Sequence, residues 1–347
     1  MSPAFEELTP TGQIRRLRSV AFEALRQYDL EVRRISYAAR AFNTVFRADT
    51  TGGATYALRV SPELRIHADG CEALEAAWTR ELRRDVAFPT PAVIRTRDAS
   101  ADAWIRVEGV PGRRSCVLFE WVPGRPLRER MRADLVGKVG ELTAIVHDQA
   151  GSHASADASD GASHASAGAS DGAYHASADA SAGALIADRV LYFRAENRLE
   201  ELRPIYGSVL AEAVARAQRA LDTLWANPPH APHLLHGDVQ PGNVMVSRGN
   251  VTLIDFQDLI VGFEIQEVVF ALVALEHFDE APTYRDAFRA GYESVRPWPQ
   301  SDPETIAALG AARHLNVLNF GLSIRKPGLE TFVTRHADRV ARWMEKG

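Results

Sequence analysis

The chain has 347 residues, 46% of them hydrophobic and 24% charged, the composition of an ordinary globular protein with room for about two domains. A formal net charge of −5 lacks the basic footprint of a dedicated nucleic-acid binder, so no nucleic-acid partner is expected. With only two cysteines, Cys71 and Cys116, neither a disulfide framework nor a four-cysteine zinc site can form, and the expected compartment is the reducing cytoplasm. The best apolar run, about Val268 to Leu275, falls far short of the roughly 20 residues a spanning helix needs. The acidic start MSPAFEELTP lacks the apolar core of a signal peptide, so neither export nor membrane insertion is expected.

In chain order, residues 1–29 read as a helical segment, with Ile14, Leu17, Val20, Ala21 and Leu25 at a helical period. LEVRRISYA and FNTVFRADT then read as strands, and TYALRV follows after the turn at Thr51 to Gly53, giving a hairpin. CEALEAAWTRELRRDV places Leu74, Ala77, Trp78 and Leu82 on one helical face. Pro89 and Pro91 keep FPTPAVIRT extended. WIRVEGV and SCVLFEWV read as strands separated by Pro111-Gly112. Residues 30–121 therefore form a small mixed sheet with one helix, and residues 122–347 a larger, mostly helical region.

In that second region LRERMRADLVGKVGELTAIVHDQA carries apolar residues at helical spacing, and residues 186–227 give one or two further helices. HLLHGDVQPGNVMVSRGNVTLIDFQD interrupts the helical trend with two short strands, NVMVS and VTLID, joined by an Arg-Gly-Asn turn. Helical patterning resumes near Glu264. Residues 152–184 are a tandem repeat of SHASADASDGA, SHASAGASDGA and YHASADASAGA. Its 11-residue period is too short for a solenoid unit, and Ala, Ser, Gly and Asp offer no core, so it reads as a disordered insertion. His153, His164 and His175 recur once per unit, but duplication copies them together and gives no independent support for a metal site.

The chemistry concentrates in His236-Gly237-Asp238-Val239-Gln240-Pro241-Gly242-Asn243 and Leu253-Ile254-Asp255-Phe256. Phosphoryl transfer needs a carboxylate to orient an attacking hydroxyl, oxygen ligands that hold Mg2+ against the phosphates, and little else but positioning. An Asp five residues before an Asn on a tight loop supplies the base and one ligand; a second Asp at the end of a hairpin supplies the other. The pairing of Asp238 with Asn243, followed by Asp255 after strand–turn–strand, fits that need.

HGDVQPGNVM and LIDFQD resemble the aminoglycoside phosphotransferase family, within the wider protein-kinase-like superfamily of small-molecule kinases. The resemblance spans about residues 30–275. It implies an α+β, bilobal protein-kinase-like fold, with ATP and Mg2+ as cofactors and a small-molecule hydroxyl acceptor as partner. Carried across residue by residue, it makes Asp238 the catalytic carboxylate and Asn243 and Asp255 the Mg2+ ligands, with His236 bracing the loop. Arg59 stands where such kinases carry a phosphate-binding Lys; the alternative is an exposed strand residue. Glu75 is the best-placed of Glu72, Glu75 and Glu81 to be its partner, and the alternative for all three is a solvated helix face. The segment Ala39 to Asn43 occupies the place of a glycine-rich loop, with Asn43 a turn residue rather than a ligand. Phe119 and Trp121 fall in the segment that would flank an adenine, though Trp121 fits a core position equally well. Asp258 and Glu264, with Glu267, are acidic where the acceptor approaches, suiting either a cationic substrate or helix capping. Relatives often carry Asp near Glu267. His277, His314, Asn316, Asn319 and Arg325 are unranked candidates for the acceptor pocket. Two other readings stay open: a protein Ser/Thr kinase of the same fold, and a nucleotide-binding pseudokinase.

Overall fold

The computed structural model describes residues 3–67, 69–160, 196–325 and 328–346. The chain forms two compact units, Met1–Gly124 and Arg125–Gly347.

The first unit begins with helix α1 (Pro10–Leu25), started by Pro10 and by the Thr9 hydroxyl, which accepts from the Gly12 amide at 3.2 Å. Strands β1 (Val32–Arg40), β2 (Thr44–Thr50) and β3 (Thr55–Val60) follow, then α2 (Cys71–Val86), β4 (Val93–Ile94), β5 (Ala103–Ile105) and β6 (Arg114–Glu120). The sheet runs β1-β2-β3-β6-β4, with β5 also on β6. Expected as a small mixed sheet, it pairs antiparallel at every contact among the described residues, because hairpins join its first three strands. Leu17, Val20 and Leu25 of α1, with Tyr28, bury against Phe46, Leu58, Val60 and Leu118, so the N-terminal helix belongs to this core. The Tyr28 hydroxyl donates to the Cys116 carbonyl at 3.2 Å. The strand expected from WIRVEGV stops at Ile105, and Gly109 and Gly112, both at positive φ, turn the chain before β6.

The second unit opens with β7 (Arg125–Pro126) and a 3-10 turn at Leu127–Glu129, and helix α3 runs Ala133–Asp160. The helix expected from Leu127 thus starts later: Leu127 is buried in the 3-10 turn, and Arg130, at φ −152° and ψ 79°, breaks the helical path. α3 takes in repeat residues 152–160; the rest of the repeat, with the reading of it as disordered, lies outside the described residues. Then come α4 (Arg203–Tyr206), α5 (Val209–Ala226), β8 (His233–Leu235), β9 (Val244–Ser247), β10 (Asn250–Leu253) and β11 (Ile260–Gly262). The chain ends with α6 (Glu264–Leu275), α7 (Ala281–Glu293), α8 (Pro303–Ser323) and α9 (Leu329–Glu345). Two small sheets, β10-β9-β7 and β11-β8, hold the loops between them. A core of Leu210, Leu221, Phe263, Val269, Leu315 and Val340 joins α5, α6, α8 and α9. Helices α3 and α7 meet backbone to backbone: a methyl on Gly291 would stand 1.8 Å from the Gly137 carbonyl oxygen. No helix among the described residues is long and apolar enough to cross a membrane.

Candidate active site

The hairpin β9–β10 and the pair β8–β11 set the geometry of the loop at residues 236–243. β8 delivers His236, and β9 and β10 pair Val244 with Leu253. One step beyond that register the Ile254 amide donates to the Asn243 carbonyl at 2.9 Å, one residue before Asp255. His236, buried against Phe256 with ring centroids 4.3 Å apart, hydrogen-bonds the Ile254 carbonyl through Nε2 at 3.2 Å. Its reading as a brace for this loop fits that placement.

Asp238 is gripped at both oxygens. Oδ2 accepts from Gln240 Nε2 and from Asn243 Nδ2, each at 2.7 Å. Asn243 Nδ2 also reaches the Asp238 carbonyl at 3.0 Å. Oδ1 takes the guanidinium of Arg313 from α8, which lies 5.1 Å over the Phe270 ring. Because the Asn243 amide nitrogen is spent on Asp238, its carbonyl oxygen is the atom left for a cation. Asp255 sits in the left-handed region, at φ 65° and ψ 64°, a conformation that Asp tolerates better than most residues and that functional loops often hold. One amide oxygen and one carboxylate form a hard-oxygen donor set of the kind Mg2+ takes, with waters and phosphate completing its shell, so these residues fit that ion.

Behind the loop lies a buried relay. The Gly237 amide donates to Glu267 Oε1 at 2.6 Å; Glu267 Oε2 meets His147 Nε2 at 2.8 Å; His147 Nδ1 meets the Tyr292 hydroxyl at 2.8 Å. Burial alone would raise the Glu267 carboxyl, but the His147 hydrogen bond and charge, His236 and the Gly237 amide outweigh it and hold it below the usual range. A carboxyl depressed in the folded state contributes stability that is complete above its unfolded value, near 4.5, and is lost as pH falls through its folded value. We expect Glu267→Gln to cost about 3 kcal/mol near neutral pH and to flatten the acid limb of a melting-temperature profile between pH 7 and pH 3. An acid limb as steep in the variant as in the wild type would remove Glu267 from this role.

In the first unit, Arg59 and Glu75 meet in a buried, two-pronged ion pair, Nη1–Oε1 at 3.0 Å and Nη2–Oε2 at 2.5 Å. Arg59 is therefore no exposed strand residue, and Glu75 lies on no solvated face. β3 pairs Ala57 with Phe119 on β6, which sets Arg59 two residues along the same face, its guanidinium 4.9 Å over the Phe119 ring. Trp121 is half-buried beneath the Arg47 guanidinium at 5.1 Å.

The other candidates scatter. The Asp258 main chain packs against Gly237, where an added Cβ would stand 1.9 Å from the Asp258 carbonyl oxygen. The Glu264 carboxylate is buried, Oε1 on Arg296 at 2.8 Å and Oε2 on His230 at 2.5 Å, so it holds no substrate amine in this arrangement. His314 faces His336 and Glu276, and Asn319 pins residues 196–198 through the Glu196 carbonyl and the Arg198 amide. Arg313, Gln240, His147 and Tyr292 were missed. Arg313 and Asp238 are 75 residues apart, and nothing local marks an arginine on a long helix as the partner of a loop carboxylate.

A family model described as a phosphotransferase enzyme family matches residues 35–308. No curated protein matches the chain in sequence. Among solved structures, the chain is similar to amicoumacin kinase hAmiN in complex with AMP-PNP, Ca2+ and Ami, at 15% identity and a TM-score of 0.64 over 93% of this chain and 92% of that one. A microcompartment-associated aminopropanol kinase aligns at 19% identity and a TM-score of 0.62, over 94% and 95% of the two chains. An aminoglycoside phosphotransferase from Alicyclobacillus acidocaldarius aligns at 14% identity and a TM-score of 0.54, over 100% and 96%. At these identities the likeness is one of fold: an α+β, bilobal protein-kinase-like architecture.

Proposed function

The chain belongs to the phosphotransferase enzyme family, and from that membership we propose that it transfers the γ-phosphoryl group of ATP, with Mg2+, to a hydroxyl of a small molecule. The observation that carries this reading is the hydrogen-bonded loop that joins Asp238 to Asn243, whose main-chain carbonyl accepts from Ile254, the residue before Asp255. In the proposed reaction Asp238 orients the acceptor hydroxyl and takes its proton as the oxygen bonds to the γ-phosphorus and the bond to the β-phosphate oxygen breaks, releasing ADP. Oδ2 already accepts two hydrogen bonds, so Oδ1, with one lone pair beyond the Arg313 contact, is the oxygen assigned to that proton. Arg313 then borders the acceptor and holds Asp238 in its rotamer.

Asn243 and Asp255 are the proposed Mg2+ ligands; the bound ion would neutralise charge on the phosphates. Arg59, set by Glu75 and Phe119, is the proposed phosphate contact, and Phe119 and Trp121 the proposed flank of the adenine. Asn316 lies one helical turn beyond Arg313 on α8 with a buried Oδ1 that has no hydrogen-bond donor among the described residues, which suits an acceptor hydroxyl or amine. The test is ADP release from Mg-ATP across aminoglycosides, macrolides, homoserine, choline, ethanolamine and amino sugars. Acceptor-dependent release is expected with at least one small molecule. Release that depends only on a protein substrate would move the assignment to a protein kinase. Mg-ATP binding with no release under any acceptor would move it to a pseudokinase.

A further inference from the structure

Away from Asp238, His230, His233 and Glu264 bring three ligand atoms within 4.8 Å of one another. His230 Nε2 stands 2.5 Å from Glu264 Oε2, and His233 Nε2 stands 3.6 Å from Glu264 Oε1. The second distance is too long for a hydrogen bond. His233 is only 3% exposed, and its buried Nε2 has no hydrogen-bond partner among the described residues. An orphaned ring nitrogen aimed at a carboxylate is costly in a native interior unless something else satisfies it.

The tautomer of His230 sharpens the point. Its Nδ1 lies 2.8 Å from the Ala231 carbonyl, an acceptor, so the Nδ1 proton points there. Nε2 is then the ring atom turned toward Glu264 Oε2, and a cation between the two would take a lone pair from each. The backbone carbonyl on Nδ1 is also the arrangement that orients metal-ligating histidines.

We propose that His230, His233 and Glu264 form a binding site for a divalent transition-metal ion of the zinc class, separate from the phosphate-bound Mg2+. Two imidazole nitrogens and one carboxylate oxygen are a donor set for Zn2+, Ni2+ or Co2+ rather than for Mg2+ or Ca2+. Ligand atoms around zinc stand roughly 3.3 Å apart, so the His230–Glu264 contact must open by about 1 Å. His230 can move, since its side chain is 40% exposed and precedes β8. That exposed edge also gives the ion an entry path and leaves a position for water. Arg296 keeps Glu264 Oε1 at 2.8 Å and leaves Oε2 for the metal, while its own Nε lies 3.9 Å from Asp148, which offsets some of its charge. Phe263 walls the site from the core, with its ring 5.6 Å from that of His230.

The ion would act as a clamp on the catalytic loop's base. His233 opens β8 and pairs with Gly262 at the end of β11, and Glu264 follows two residues later at the start of α6. A metal there ties together the strand entering His236 and the helix that carries Glu267.

The test compares the untagged full chain with His230→Ala, each stripped by chelator and titrated with Zn2+ and with Co2+. Because His230 also packs on His233 and Phe263, each stripped form sets its own baseline, and the effect of metal is read as the gain over that baseline. His153, His164 and His175 are present in both proteins and cancel in the comparison. The wild type should take up one more equivalent of metal than the variant, gain at least about 3 °C in melting temperature with Zn2+, and show the visible bands of a four- or five-coordinate Co2+. His230→Ala should lose at least about tenfold in affinity at this site along with those bands. Equal uptake by the two proteins, or Co2+ bands that persist in His230→Ala, would overturn the proposal whatever becomes of the phosphotransferase reading.

Discussion

Asp238→Asn should lower kcat for acceptor-dependent ADP release by about 10²- to 10⁴-fold, the usual contribution of a positioned general base, while the dissociation constant for Mg-ATP moves by less than about twofold. The asymmetry follows from where the carboxylate's bonds go. Asp238 touches Gln240, Asn243 and Arg313, and the proposed phosphate and adenine contacts lie in other elements. The amide keeps the carboxylate's shape, yet it cannot accept from every present donor. If its oxygen faces Gln240 and Asn243, its NH2 faces the Arg313 guanidinium, donor against donor. The variant should therefore also lose about 1–2 kcal/mol of stability, read as a lower melting temperature. That loss is small beside the fall in rate, and the two are separable by assaying well below the transition. Equal turnover in variant and wild type would remove Asp238 from the chemistry, and a matching loss of Mg-ATP binding would make the effect structural. Arg313 also defines what a pseudokinase would look like here. If its guanidinium locks Asp238 against any acceptor, the wild type and Asp238→Asn would release ADP at the same background rate.

Elements with a strong local pattern were legible. Helix α2 and strand β3 fall at Cys71–Val86 and Thr55–Val60, where apolar periodicity and flanking turns marked them. The approach of Glu75 to Arg59 was legible only through the family resemblance, which sets a carboxylate on the helix after this strand; in the structure Glu75 is 1% exposed and meets Arg59. The pair Asp238 and Asn243 was legible from spacing, since five residues on a tight loop leave little choice. What could not be read are contacts between residues distant in the chain. The partners of Glu267 are His147, 120 residues away, and through it Tyr292, on helices whose patterns are those of any core helix. β8 and β11 are three residues each, too short for a period to register, yet they carry His233 and set Glu264 near it. The late start of α3 has a tertiary cause as well, because burial of Leu127 in a 3-10 turn overrides a continuous helical pattern.

Gly237→Ala should be the most destabilising single-methyl change in the loop, costing about 4 kcal/mol or more. Two penalties coincide at this residue. Its φ of +79° is a conformation that side-chain-bearing residues adopt at a cost of about 1–3 kcal/mol. Its added Cβ would also stand 1.9 Å from the Asp258 carbonyl oxygen and 2.9 Å from the carbonyl carbon. Those are backbone atoms, so no rotamer change relieves the clash, and overpacking of this kind adds about 1–3 kcal/mol. Either the loop or the segment at Asp258 must shift. A shifted loop pulls the Gly237 amide from Glu267, leaving a buried carboxylate short of one donor. Gly249 supplies the control. It has nearly the same φ, +82°, in the β9–β10 turn, but among the described residues nothing lies within 4 Å of its added Cβ. Gly249→Ala should therefore carry the strain alone, about 1 kcal/mol. The expected result is a fall in melting temperature of roughly 10 °C for Gly237→Ala against a few degrees for Gly249→Ala, with kcat falling only in the former. Equal falls would show that backbone strain alone sets the requirement for glycine between His236 and Asp238. A larger fall at Gly237 makes the glycine a space-maker, kept small so that the Asp258 backbone can close over the loop that presents Asp238.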